Sequence, residues 1–208
     1  MQRPEDGPRH LRPEPAQGEA HGARGGAQEG APDGAQDGSP GAATTPFRFR
    51  PSVTVAALIE EAGRFLLVEE HTPEGLMLNN PAGHLELGES PLQAVQREAL
   101  EETARRFEPQ HLLGVYLARM RREPDGEDVT YVRFAYAGRA GPPEPGRALD
   151  AGIVRTVWMS PEEVRASQAR HRSPLVLRCL EDHLAGRRLP LDTVWADPTL
   201  QDPQVKRR

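Results

Sequence analysis

The chain has 208 residues, a formal net charge of −5 and a single cysteine. That length suits one sizeable domain, and the mild acidity argues against a nucleic-acid surface. Cys179 has no partner for an internal disulfide, which fits a reducing compartment, and no run nears the roughly 18 apolar residues of a membrane span.

Residues 1–46 hold Met1 and Leu11 as their only large apolar residues, among Gly, Pro, Ala, Gln and acidic side chains. Such a stretch cannot bury enough apolar surface to offset chain entropy, so a disordered tail is expected. The start also lacks the apolar core of a secretory signal, and a cytoplasmic location is expected. Order is expected over residues 47–195, with 196–208 as a second flexible tail. Basic residues are almost all arginine, Lys206 being the only lysine, and arginine clusters are discounted accordingly.

Val53 to Ile59 reads as a buried strand, Glu60 to Gly63 as a turn and Phe65 to Val68 as the returning strand. A loop from His71 to Gly75 leads to Leu76-Met77-Leu78, and Pro81-Ala82-Gly83 forms a turn before a short extended stretch. Ser90-Pro91 then opens a helix, with Gln93 completing a capping box. His111 to Met120 and Val129 to Ala137 read as strands around the polar loop Glu123 to Gly126, followed by a Gly/Pro-rich connection over 138–150. After a strand from Ile153 to Met159, helices open at Ser160-Pro161 and at Ser173-Pro174, the second stopping near Gly186. Interleaved strands and helices predict a mixed α/β fold, a mixed sheet flanked by helices.

The first helix carries the chemistry. Leu92, Val95 and Ala99 form an apolar stripe with Thr103 on its edge, and Glu98, Glu101 and Glu102 share a neighbouring face. Three carboxylates in one turn repel one another, and they sit where the helix dipole disfavours negative charge. Mg²⁺, a hard cation with oxygen ligands, would relieve both penalties. The alternative is a solvated face, with Arg105 and Arg106 following Glu101 and Glu102 at i+4. The preceding loop favours the metal, because Gly83 lets backbone approach a ligand and offers its carbonyl.

Gly83, Glu89, Arg97-Glu98 and Glu101-Glu102 together resemble the Nudix box, the signature of hydrolases that split a nucleoside diphosphate linked to another group. The resemblance runs from about Pro51 to Leu191. Asn79 to Glu86, Tyr131-Val132-Arg133-Phe134, Trp158 before Ser-Pro-Glu-Glu, Arg172 to Val176 and Gly186 to Leu191 resemble the bacterial NudJ-type phosphatases within that family. Membership would imply an α/β/α sandwich and hydrolysis of nucleoside tri- and diphosphates and of a thiamine-precursor pyrimidine pyrophosphate. Two positions depart from the box: Ala104 stands for a glycine and Arg105 for an aliphatic residue. Either alanine adopts a left-handed conformation at a cost on the order of 1 kcal/mol, or the helix runs half a turn further.

Carried onto this chain, the resemblance makes Glu98 and Glu102 the principal ligands of Mg²⁺, with Mn²⁺ as a substitute, and Glu101 and the Gly83 carbonyl assisting. Glu98 is the first choice for general base, and Arg97 orients carboxylates. Glu89 and Ser90 hold the loop to the helix, while His84, Arg133 and Arg172 are candidate substrate contacts. Ser173-Pro174 between Arg170 and Arg172 is a candidate anion-binding helix start. Trp158 is expected in the core, Cys179 outside the chemistry, and no aromatic pair is evident for holding a base. The expected partner of a monomeric chain is a small nucleotide or pyrophosphate, not nucleic acid or membrane. Competing functions are nucleotide-pool or nucleotide-sugar pyrophosphohydrolase activity and nucleotide binding without cleavage.

Overall fold

A computed structural model describes residues 49–121 and 128–201. The expected tail over 1–46, the polar loop at Glu123 to Gly126 and residues 202–208 lie outside the described residues. The strands are β1 (Ser52–Glu61), β2 (Arg64–Thr72), β3 (Gly75–Asn79), β4 (Ala82–His84), β5 (Arg105–Arg121), β6 (Asp128–Pro143) and β7 (Ile153–Met159). The helices are α1 (Pro91–Thr103), α2 (Pro161–Ala166) and α3 (Leu175–Leu184). Of the expected C-terminal tail, Pro198–Gln201 forms a 3-10 turn. No helix among the described residues is long and apolar enough to cross a membrane.

The seven strands form one sheet in the order β3-β2-β1-β6-β5, with β4 paired to β1 and β7 to β2. It is mixed because β1 runs parallel to β6 while its other pairings are antiparallel. Alternation along β1 divides the core into two layers. Val55, Ala57 and Ile59 pack with Leu66, Tyr136 and the α1 residues Ala94, Val95 and Ala99. Ala56 and Leu58 pack with Phe65, Leu67 and the α3 residues Leu175, Val176, Cys179 and Leu180. Helices cover both faces, which is why β1 reads as an unbroken apolar run. Cys179 is 1% exposed, and burial pushes its thiol up to about 12, so it is an inert core residue.

Three expectations change. His71 and Thr72 belong to β2, which pairs with β3 down to Thr72 opposite Gly75. The Gly/Pro-rich segment after Ala137 is strand as far as Pro143, because Arg105 to Pro109 pair with it through an irregular, bulged register. Gly138 is needed there: a Cβ on it would lie 2.1 Å from the Glu108 carbonyl oxygen. Trp158 is half-buried, with the Arg105 guanidinium 5.8 Å from its ring centre.

The β1–β2 connection is the two-residue turn Ala62-Gly63, with φ of 50° and 75°. A tight hairpin turn of that kind favours asparagine before glycine, and alanine is strained at positive φ. Ala62→Asn is therefore expected to stabilise the fold by about 0.5–1 kcal/mol, raising Tm by roughly 2 °C in a thermal melt.

Two imidazoles meet between β5 and α3. The rings of His111 and His183 stack with centres 6.1 Å apart, and His183 Nε2 lies 3.0 Å from Glu60 Oε2 and 3.4 Å from Arg188 Nη2. Burial, with Arg188 and His183 adding repulsion, lowers His111 from 6.5 to about 4. The unfolded chain thus binds the extra proton first, and stability falls as pH drops from about 6.5 towards 4. The loss should be on the order of 1 kcal/mol, since the ring keeps part of its hydration. Glu102, pushed up to about 8, contributes with the opposite sign over this range. The check is therefore a difference: between pH 7 and pH 4.5 His111→Phe should fare better than the wild type by that amount in parallel melts.

Candidate active site

Helix α1 begins as its sequence dictates. The Ser90 hydroxyl accepts from the Gln93 amide at 3.3 Å and Gln93 Oε1 accepts from the Ser90 amide at 2.9 Å. Bonds from the Ala82 amide to Glu102 and from Arg97 to the His84 carbonyl hold the helix against β4, which pairs with β1 through Thr54–His84, Val55–Gly83 and Ala56–Ala82. The buried face of α1 is wider than the apolar stripe: Glu98 and Glu102 are 8% and 9% exposed, beside Ala94, Val95 and Ala99. Leu92 packs only at the margin.

The helix ends at Thr103, with Ala104 left-handed at φ 55° and its amide donating to the Leu100 carbonyl. The first of the two expected outcomes therefore holds, and no Glu101–Arg105 pair supports a longer helix. Arg105 instead donates to the Gly141 carbonyl at 2.9 Å, and Arg106 pairs with Glu144 at 2.8 Å. The solvated-face reading thus loses its ion pairs with Arg105 and Arg106, and Glu102 is buried, while Glu101 stays partly exposed and paired with Arg97.

Arg97 gathers the loop and the helix. Its Nε and Nη2 donate to the two oxygens of Glu89 at 3.1 and 2.7 Å, and Nη2 also donates to the His84 carbonyl at 3.0 Å. Nη1 donates to Glu98 Oε1 at 2.7 Å and Glu101 Oε2 at 2.9 Å. Glu89 Oε1 accepts further from the Glu86 amide at 2.7 Å. Burial alone would raise Glu89, but these bonds outweigh it and hold its carboxyl below the usual range. The same bonds, Glu89 first, hold the guanidinium well above its ordinary value.

Glu102 has no such partner. Its Oε2 accepts from the Ala82 amide at 2.8 Å, yet burial, with Glu98, Glu70 and Asp150 adding repulsion, pushes it up to about 8. Burial also raises Glu98, against the pull of Arg97. The Glu98 carboxylate occupies the space beside Gly83 where a side chain would stand: a Cβ there would lie 2.1 Å from it. Buried carboxylates that repel one another, next to an approachable backbone carbonyl, form a donor set that fits a hard divalent cation. Among the described residues no three acidic, histidine or cysteine side chains yet converge as a ligand cluster. Arg97 draws Glu101 and one oxygen of Glu98 towards itself.

A cavity of about 640 Å³ adjoins β4, lined by Ala82, Gly83 and His84 and by Thr54, Tyr131 and Arg133 of the neighbouring strands. Arg133 is 8% exposed, with Nε 3.5 Å from Thr54 Oγ1 and Nη1 buried without a partner. Burial lowers its pKa. His84 is exposed, and its ring meets that of Tyr131 at 6.4 Å and 47°. These two rings meet each other at a tilt and do not form a parallel pair with room for a base between them.

Residues 48–179 match the NUDIX domain family. The chain belongs to the Nudix hydrolases. It is 34% identical to phosphatase NudJ of Escherichia coli over 146 residues, spanning 70% of this chain and 92% of that one. A Nudix hydrolase from Nitrosomonas europaea superposes with a TM-score of 0.65 at 49% identity, over 72% of this chain and 99% of the other. A MutT Nudix hydrolase from Burkholderia pseudomallei shares the fold, with a TM-score of 0.52 at 24% identity over 64% and 98% of the two chains. Nudix hydrolases act on small nucleotides or pyrophosphates with divalent metal ions.

All six box residues come together on β4, α1 and the loop between them. Arg172 lines the cavity, but its guanidinium is paired with Glu70, and Arg170 turns away to Glu69. The expected anion-binding helix start is not assembled, because strand carboxylates already engage both arginines. Helix α3 begins only at Leu175, whose amide donates to Ser173 Oγ at 3.2 Å. Sequence reasoning missed Glu70 and Asp150, which both act on the charge of Glu102. Glu69-Glu70 at the end of a buried strand was the available signal. Asp150 had none, being drawn in when its amide donates to the Glu101 carbonyl at 3.1 Å.

Gly83→Ala tests the contact with Glu98. The clash falls on the far end of a flexible side chain, so the carboxylate should shift while the backbone stays. Turnover is expected to fall about a hundredfold with Tm nearly unchanged, as for a displacement of about 1 Å at a reacting centre. Near wild-type turnover would show that the position of Glu98 does not matter.

Proposed function

We propose that this Nudix hydrolase is a Mg²⁺-dependent, NudJ-type phosphatase. It would release orthophosphate from nucleoside tri- and diphosphates and from small pyrophosphates such as hydroxymethylpyrimidine pyrophosphate. The observation that carries the reading is the pair of buried carboxylates, Glu98 and Glu102, packed against Gly83 and Ala82 beside the arginine-lined cavity. We take residues 47–195 as the hydrolase domain of a cytoplasmic monomer that acts on neither nucleic acid nor membrane.

In this reading Glu98, Glu102, the Gly83 carbonyl and secondarily Glu101 hold Mg²⁺, or Mn²⁺ in its place. When bound, the cation polarises phosphoryl oxygens and makes an attacking water easier to deprotonate. Glu98 would serve as the general base towards a water. Arg97 keeps Glu98 and Glu101 oriented, and Glu89 and Ser90 keep Arg97 and the helix in place. Arg172 and His84 line the cavity near β4, and Arg133 holds a more deeply buried part of the substrate.

Glu98→Gln and Glu102→Gln are each expected to lower turnover at least about a hundredfold while leaving the fold intact. Near wild-type Mg²⁺-dependent activity in both would remove the metal assignment. Chromatography of the products from a nucleoside triphosphate decides which bond breaks. Nucleoside diphosphate plus orthophosphate is expected. Monophosphate plus pyrophosphate would point to a pool-sanitising pyrophosphohydrolase, and tight binding without hydrolysis to a regulator.

A further inference from the structure

Three buried side-chain atoms without a hydrogen-bond partner belong to residues that line the cavity: Oε1 of Glu70, Oδ1 of Asn79 and Nη1 of Arg133. They come from β2, β3 and β6. Asn79 stands opposite Val68 in the β2–β3 register, so it is a diagonal neighbour of Glu70 on the same face. Arg172 binds the other oxygen of Glu70, which fixes the carboxylate and leaves Oε1 to accept. Buried polar groups are normally satisfied, and several unsatisfied ones around one cavity mark the groups that fix a ligand's orientation.

From these atoms we infer that Glu70, assisted by Asn79 and Arg133, reads an exocyclic amine on the substrate's heterocycle. The enzyme then takes amino-bearing bases in preference to their keto counterparts. The inference uses the proposed function only to place the organic part of the substrate in this cavity. An amine has two N–H bonds, one for Glu70 Oε1 and one for Asn79 Oδ1, while an adjacent ring nitrogen accepts from Arg133 Nη1. A keto oxygen in the same place would face an acceptor. The Asn79 amide can turn and offer its NH₂ group instead, but a carboxylate paired with arginine cannot donate. Glu70 therefore sets the preference. Met77, Leu175 and the Tyr131–His84 rings supply apolar and aromatic surface for a flat ring.

Cytosine and uracil differ at the required position and hardly in size. The test is calorimetric titration of the full-length protein in EDTA with cytidine 5′-monophosphate and with uridine 5′-monophosphate. The cytidine nucleotide should bind at least about tenfold tighter, since a site built for an N–H donor rejects the analogue that lacks it. In Glu70→Gln, where the side chain can donate, the gap should shrink to below about threefold. Equal affinities in the wild type, no binding of either nucleotide at millimolar concentration, or an unchanged gap in a folded Glu70→Gln would overturn the inference. If that variant fails to fold, the wild-type comparison decides alone. A cytidine preference without hydrolysis of any nucleotide in Mg²⁺ would retire the phosphatase reading and leave this one standing.

Discussion

The site depends on how one guanidinium divides its donors. Arg97 commits its fork to Glu89, Glu98, Glu101 and the His84 carbonyl. A planar guanidinium offers five N–H groups in a rigid arrangement, so binding several acceptors at once fixes their relative positions. The loop after β4 and the middle of α1 become one rigid piece, and three of four box carboxylates gain a cationic neighbour. Glu102 does not, and it is the carboxylate that burial shifts furthest. The electrostatic tension of the acidic helix thereby falls on its two buried carboxylates, Glu98 and above all Glu102.

The sheet supplies the rest by bringing its two core layers together at one end. Helix α1 lies on one face and sends Glu98 and Glu102 to β4. The cavity opens on the other face, where Thr54 and Arg133 continue the alternation that buries Ala56 and Ala135 against α3. Only the three residues of β4 separate the two sets. Glu70 couples the two sets, since it lines the cavity and also adds repulsion to Glu102, so a change there is felt on both sides.

The local parts were legible in the sequence because local rules govern them. The Ser90 cap, the two-sided burial of β1 and the spacing that gathers the box carboxylates all follow from periodicities of a few residues. What depends on distant partners was not. Arg170 and Arg172 find Glu69 and Glu70 across separations of 101 and 102 residues, and no spacing announces such pairs. The segment after Ala137 looked like a loop because glycine and proline usually punctuate, whereas here they accommodate a bulged strand. The end of α1 was undecided locally. It was settled by Arg105, which leaves the helix for the Gly141 carbonyl and the face of Trp158.

The sole cysteine gives the molecule a built-in reporter. Cys179 sits on α3 in the layer that also holds Phe65, Leu67 and Leu113, far down the list of thiols that a reagent or oxidant can reach. Peroxide, nitrosating agents and alkylators should therefore leave this thiol untouched in the native protein. Whatever labelling does occur measures how often α3 lifts away from the sheet. Pulse alkylation of this one thiol reads the opening free energy of the second core layer directly, with no engineered probe.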